Sequence, residues 1–485
     1  MLRVPGPWLV ALLLIATLAC NEQGDSDGSG GSNDSAGSGG SPSACTPSAT
    51  ARAHNPLVSH IFTADPSAKV FGERVYVYTS HDADGQTDYH MVDYHAYSSD
   101  DLVNWQDHGA ILSVLDVPWA TYLYAPDVCA KNGQYFLYFP DRDQSIGVAV
   151  SDRPGGPFVD ARGAPLVTRS TPGVEDVDWI FDPTCFVDTD GQAYLYFGGG
   201  QPNTGDNARV IRLHDDMVSL ADARATTIVA PAFFEASFLH KQGDLYYFSY
   251  STTFEGHAAY LDYMTSTQPM GDFTYRGTIL TNGSINTGNN SHGSIATFGD
   301  RTYLFYHNRK LELDGGGSNH FQRSIAVQEL HYEGDAIAQL GMSDGDVTVQ
   351  QLRCLNGFTE VEAERMAAQS GIEVEGDGDL GVRIVDIDSG DWLRYSQVDF
   401  RGGANTLALR VVAPEAGGTV DVRVDGCGSA SEPGTSLGVC DIPSTAGEPE
   451  ELTCTLAAGA TAGPHDLCLV FGGSASFELD SFHLE

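Results

Sequence analysis

One motif recurs five times between residue 55 and about residue 350: a glycine turn followed by a run of aromatic and β-branched residues. It reads Gly-Glu-Arg-Val-Tyr-Val-Tyr from Gly72, Gly-Gln-Tyr-Phe-Leu-Tyr-Phe from Gly133 and Gly-Gln-Ala-Tyr-Leu-Tyr-Phe from Gly191. The last two copies read Gly-Asp-Leu-Tyr-Tyr-Phe from Gly243 and Gly-Asp-Arg-Thr-Tyr-Leu-Phe-Tyr from Gly299. Successive glycines are 61, 58, 52 and 56 residues apart. The runs have strand composition, and the period is too long for a helical hairpin but suits a four-stranded blade. The repeat therefore predicts an all-β chain with a five-bladed β-propeller over residues 51–354.

Past a boundary near Leu355, residues 358–485 read as a second all-β unit, a β-sandwich (jelly-roll) with short strands such as Thr406 to Val412 and Val420 to Val424. The N-terminus has Arg3 and an apolar run from Trp8 to Ala19, too short to span a bilayer comfortably. It ends at Leu18-Ala19-Cys20, which resembles a lipoprotein cleavage site, so residues 1–20 are expected to be a lipoprotein-type signal peptide. The protein is then exported, as an outer-membrane or cell-surface lipoprotein held by a lipid on Cys20, or otherwise secreted. Residues 21–50 are a Gly/Ser/Asp linker expected to be disordered.

Eight further cysteines remain, an even number in a chain bound for an oxidising compartment. Disulfides are expected, with Cys427, Cys440, Cys454 and Cys468 pairing among themselves. The 65 acidic against 25 basic residues give a formal charge of -40, which disfavours nucleic acid, anionic lipid and uronic-acid polymers as partners and favours a neutral substrate. Gly24 to Gly28 formally matches G-x-S-x-G but has no strand before it. Gly376 to Gly381 matches G-x-G-x-x-G, but β-branched alternation follows instead of a helix, so no organic cofactor is implied.

Three acidic segments precede the first, third and fourth repeat hairpins: Thr63-Ala64-Asp65-Pro66-Ser67, Ile180-Phe181-Asp182-Pro183-Thr184 and Phe233-Phe234-Glu235-Ala236-Ser237. Each sets one acid among apolar or small residues, where burial raises a carboxyl pKa and neighbouring acids push the values apart. Two such groups can hydrolyse a glycosidic bond, one protonating the leaving oxygen and one activating water. Read alone, Asp65 and Asp182, each before proline, also fit turn or cap residues.

Together these segments resemble glycoside hydrolase family 43, along with Asn55-Pro56-Leu57, Ala125-Pro126-Asp127-Val128, Ile146-Gly147-Val148-Ala149 and Tyr306-His307-Asn308-Arg309. The resemblance implies Asp65 as general base, Glu235 as general acid and Asp182 as the group that tunes and orients the acid, with inversion at the anomeric carbon. Asn289-Asn290-Ser291-His292-Gly293-Ser294 looks like the family's loop that brings a histidine to the propeller axis, so His292 is the candidate neighbour of a calcium ion. Trp119, Tyr124, Phe234 and Arg309 are the candidate sugar contacts.

Val361-Glu362-Ala363-Glu364-Arg365, Gly390-Asp391-Trp392-Leu393-Arg394-Tyr395 and Leu479-Asp480-Ser481-Phe482 resemble carbohydrate-binding module family 6. That resemblance implies a structural calcium near Glu362, Glu364 and Asp480, and a sugar cleft built on paired aromatics. Here Ser444 to Thr453 is acidic and lacks an aromatic, so the cleft is expected to be weakened, with Tyr395 the aromatic to test. The combination resembles enzymes that debranch arabinoxylan. The expected function is release of α-L-arabinofuranosyl groups from this plant hemicellulose by a monomer. β-Xylosidase action on xylo-oligosaccharides is the alternative, and a catalytically silent, lipid-tethered glycan-binding protein is the alternative of another class.

Overall fold

A computed structural model describes residues 45–200, 206–253, 259–343, 349–377, 381–457, 461–474 and 477–485. The signal segment, Cys20 and the linker up to residue 44 lie outside them. Among the described residues every regular element is a strand, apart from the helix Lys310–Asp314 and a single 3-10 turn at Ser284–Asn286.

From Thr63 to Leu330 the chain lays down five antiparallel sheets in sequence order, opening with Thr63–Phe71, Asp127–Lys131, Thr184–Val187, Phe233–Gln242 and Gly293–Phe298. The repeat glycines form the turn after each opening strand. All five have φ between +58° and +85°, and a Cβ at any of them would meet nothing within 4 Å. The left-handed backbone, not lack of space, demands glycine there.

Side chains alternate across each sheet, so each sheet offers an apolar face to both neighbours. Val75 and Val77 pack with Phe298, Phe305 and Val327 of the fifth sheet, while Tyr76 and Tyr78 pack with Leu137 and Phe139 of the second. The second shares a core with the third, the third with the fourth and the fourth with the fifth. Each of the five sheets thus shares core residues with two others, the first with the second and the fifth.

Residues 355–485 form two six-stranded sheets around one core of their own, which includes Leu393, Leu409, Val422, Leu469 and Phe482. Tyr395 belongs to this core. It is fully buried, its hydroxyl donates to the Ala363 carbonyl at 2.7 Å, and it packs edge-on against Phe482, so it offers no sugar platform. The strands Glu373–Asp377 and Gly381–Val385 flank the G-x-G-x-x-G match, where a dinucleotide site would need a helix.

The two cores are stitched together: Arg365–Met366 adds antiparallel to Trp105–Ser113 at the edge of the first sheet. Buried Asn104 also exchanges two hydrogen bonds with the Ser396 backbone, at 2.8 and 3.0 Å. Four disulfides join Cys45–Cys354, Cys129–Cys185, Cys427–Cys468 and Cys440–Cys454, so the last four cysteines do pair among themselves.

Candidate active site

The three acids stand where opening strands leave regular pairing. Asp65 lies in a register break between Ala64 and Ser67, Glu235 has a break on each side, and Asp182 lies two residues before Thr184–Val187. Asp65 and Asp182 adopt φ of +52° and +46°, and Ala236, next to Glu235, adopts +61°. A bulge combined with a left-handed residue re-aims a side chain out of the ladder, and it persists only where surrounding contacts hold it.

Those contacts are present. The Asp65 amide donates to His307 Nδ1 at 3.2 Å, and His307 Nε2 faces the Asn290 carbonyl at 3.2 Å. His307 Nδ1 also comes within 3.2 Å of Asp65 Oδ1, so the ring ties the Asp65 segment to the Asn290 loop. The Ala236 amide donates to Asp182 Oδ2 at 2.9 Å, which pins the bulge that carries Glu235.

All three carboxyls are buried, at 4, 5 and 6% exposure for Asp65, Asp182 and Glu235, yet their charge states diverge. Burial opposes the ionised form of each. At Asp65 it is outweighed by Arg323, whose Nη1 donates to Oδ1 at 2.8 Å. Ser80 Oγ donates to Oδ2, also at 2.8 Å. Asp65 is thereby held far below the usual carboxylate range. Arg323 is itself fully enclosed and forked onto Asp82, with Nε and Nη2 at 2.9 and 2.8 Å; its guanidinium lies 4.9 Å from the Tyr89 ring centroid.

Among the described residues Glu235 has no such cation in contact. Burial, with the charge of Asp65, lifts it to about 7 against the counter-effect of an Asn290 Nδ2 hydrogen bond at 2.6 Å. Asp182 is raised well above its ordinary value by burial and then by Glu235 and Asp65. His292 stands nearby, with Nδ1 3.5 Å from Asp65 and 3.9 Å from Asp182. Burial lowers its pKa to about 4, so it is neutral at working pH.

Glu235 and Asn290 reach the wall of a cavity of about 790 Å³ that is otherwise lined by Tyr89, Tyr124, Trp179, Phe181, Phe234, Arg142, Gln144 and neighbouring loop residues. Trp179 meets Phe181 and Phe234 edge-on, with ring centroids 5.5 and 5.3 Å apart. Asp65, Asp182 and His292 are not among the cavity's lining residues; Asp65 and Asp182 lie behind the wall, close enough for the charge of Asp65 to act on Glu235 and for Asp182 to hold the Ala236 amide. A protonated carboxyl on an aromatic-lined wall and an ionised carboxylate beside it are the parts acid–base cleavage of a sugar acetal requires.

Residues 53–337 match the model of glycosyl hydrolases family 43, and residues 362–485 match that of the carbohydrate binding module (family 6). The chain belongs to glycoside hydrolase family 43. This family 43 glycosidase is 37% identical to the arabinoxylan arabinofuranohydrolase of Paenibacillus polymyxa over 471 residues, 88% of this chain and 73% of the relative. It is 35% identical to the Bacillus subtilis (strain 168) protein of the same name, over 88% of this chain and 91% of that one. A crystal structure of a family 43 arabinoxylan arabinofuranohydrolase from Bacillus subtilis, in complex with cellotetraose, aligns with a TM-score of 0.80 at 34% identity. The alignment covers 89% of this chain and 97% of that one.

The remaining sequence candidates separate. Tyr124 and Phe234 line the cavity, whereas Trp119 and Arg309 are not among its lining residues. Trp119 stacks on Phe139 and donates from Nε1 to Asp160 at 2.7 Å, so it serves packing between sheets. Arg309 is buried and donates to the Thr287 carbonyl at 3.1 Å, bracing the loop that bears Gly288 to Asn290. Glu362, Glu364 and Asp480 border a different cavity, between the first sheet and the second core.

Arg323, Asp82, Ser80, His307 and Trp179 were not singled out by the sequence reading. The signal for Arg323 was slight: one arginine at the mouth of the apolar run Ser324–Leu330 in an acidic chain.

Proposed function

We propose that this glycosidase inverts configuration while releasing α-L-arabinofuranosyl side groups from arabinoxylan. The observation that carries the reading is the match to two proteins named arabinoxylan arabinofuranohydrolase over 88% of this chain, both domains included. Glu235, protonated up to about pH 7, gives its proton to the glycosidic oxygen as the bond to the anomeric carbon breaks. Asp65, already ionised, takes a proton from the water that attacks the opposite face, and the configuration inverts. Asp182 touches neither leaving group nor water; it is a positioning residue that fixes Glu235 through the Ala236 amide. Tyr89, Tyr124, Trp179 and Phe234 offer faces for the sugar rings.

The sharing of core residues by each of the five sheets with two others supports reading residues 51–354 as a five-bladed propeller, and the two sheets around one core support a sandwich for 358–485. The second domain suits a structural calcium. Glu362, Glu364 and Asp480 all have raised pKa values, chiefly through burial, and Glu364, 2% exposed, keeps Oε2 without a partner. The donor set at His292 fits calcium less well. It offers one imidazole, beside carboxylates already engaged by Arg323, Ser80 and the Ala236 amide. Export with a lipid on Cys20 and a monomeric state complete the proposal.

β-Xylosidase is the second reading, favoured by a xylosidase/arabinosidase from Humicola insolens that is 39% identical over 58% of this chain. Parallel assays on arabinoxylan and xylo-oligosaccharides decide between them. Release of arabinose is expected, and xylose as the dominant product from both would overturn the first reading. The meeting of all three acids at one site weighs against a silent glycan-binding protein.

A further inference from the structure

We propose that His81, Asp93 and His95 form a binding site for a zinc-type transition-metal dication, which clips the base of the active-site loop between the strands Arg74–His81 and Asp93–Ser99. Ser80 pairs with Tyr94 and Thr79 with His95, so alternation puts His81, Asp93 and His95 on one face of the first sheet. Ser80, reaching Asp65, is on the other. His81 Nδ1 lies 2.8 Å and His95 Nε2 3.9 Å from the same oxygen, Asp93 Oδ1. The two rings meet edge to face, 5.2 Å apart.

Among the described residues this is the one group of three such side chains whose ligand atoms all lie within 4.8 Å of one another. Metal–ligand bonds of about 2.0–2.2 Å in a tetrahedral site need ligand atoms roughly 3.3 Å apart, so side-chain rotations closing the widest gap by at most about 1.5 Å would complete it. The other ring nitrogen of His95, Nδ1, is buried without a hydrogen-bond partner. Side-chain exposures of 22, 23 and 14% for His81, Asp93 and His95 leave an ion a way in. Two imidazoles and one carboxylate suit zinc, whereas calcium takes six to eight oxygens. The formal charge of -40 enriches cations around the surface.

Residues 82–92 connect the two strands and carry one group that lines the catalytic cavity and two that hold Arg323. Asp82 forks Arg323, Met91 Sδ lies 3.3 Å from Arg323 Nη2, and Tyr89 lines the wall. A cation joining His81 to Asp93 and His95 ties both ends of this loop and reduces the freedom of its base. The site lies outside the catalytic machinery, so the inference stands whichever sugar the enzyme releases.

The test uses EDTA-stripped full-length enzyme dialysed against micromolar ZnCl2, with bound metal measured by mass spectrometry and Tm by calorimetry. Wild type should hold one more Zn2+ per chain than the His81→Gln/His95→Gln double variant, and only wild type should gain Tm on adding zinc. Asp93→Asn, which conserves size and serves should the double variant not fold, should weaken zinc binding about tenfold or more. Equal zinc content in wild type and variants, or none in wild type, would overturn the proposal.

Discussion

Asp65 and Glu235 occupy matching places in different sheets, each at a register break of an opening strand and equally buried, yet they carry opposite charge states. Burial alone would push both toward the neutral acid. The difference lies in their partners: Asp65 receives Arg323 and Ser80, whereas among the described residues Glu235 receives the neutral amide of Asn290. Burial makes each carboxyl sensitive, and the partner decides the sign. A proton donor and a base can then coexist at one pH without differing in depth.

The largest effect expected from breaking this asymmetry is Asp65→Asn, which should cut turnover by about 10³-fold or more on every substrate, since water activation is needed whatever the leaving group. Glu235→Gln should cost about 10²-fold or more on arabinoxylan and much less on an aryl glycoside with a good leaving group. Equal losses on both substrates would contradict its role as acid.

The same pair should move stability in opposite directions. Glu235, raised to about 7, keeps its proton in the fold where the unfolded chain loses it near the ordinary 4.5. Its presence therefore lowers stability progressively as pH rises from about 4.5 to 7, by up to about 3 kcal/mol. Glu235→Gln should raise Tm at pH 8 and leave it nearly unchanged at pH 4. Asp65 is depressed, so it contributes stability above about pH 4 that is lost on acidification. Asp65→Asn should accordingly lower Tm at pH 8, leaving buried Arg323 with one carboxylate fewer. The smallest effect is expected from Asn290→Leu: losing the bond that favours ionised Glu235 should shift the basic limb of activity upward by a fraction of a pH unit.

The repeated sheets and the three acidic segments announce themselves in the sequence through local signals. The five glycines answer to a single backbone angle, and each acid lies in a short apolar segment beside its own turn. Arg323 was hidden because its partners Asp65 and Asp82 are 258 and 241 residues away and meet it only when the fifth sheet closes on the first. Trp119 and Arg309 are hard to place from sequence for a related reason. An aromatic or an arginine near the repeat reads alike whether it faces sugar or a neighbouring sheet, and only packing against Phe139 and Thr287 separates the cases. Tyr395 likewise stands in a module motif yet spends its ring on the core.

The opposite charge states of Asp65 and Glu235 are tested most directly by the pH dependence of kcat/KM in wild type and Glu235→Gln, on an aryl glycoside that leaves the variant measurable activity. Wild type should lose activity above about pH 7 with no acid limb down to pH 4, and the variant should lack the basic limb. A basic limb that survives in Glu235→Gln, or an acid limb between pH 5 and 6 in wild type, would contradict the assignment.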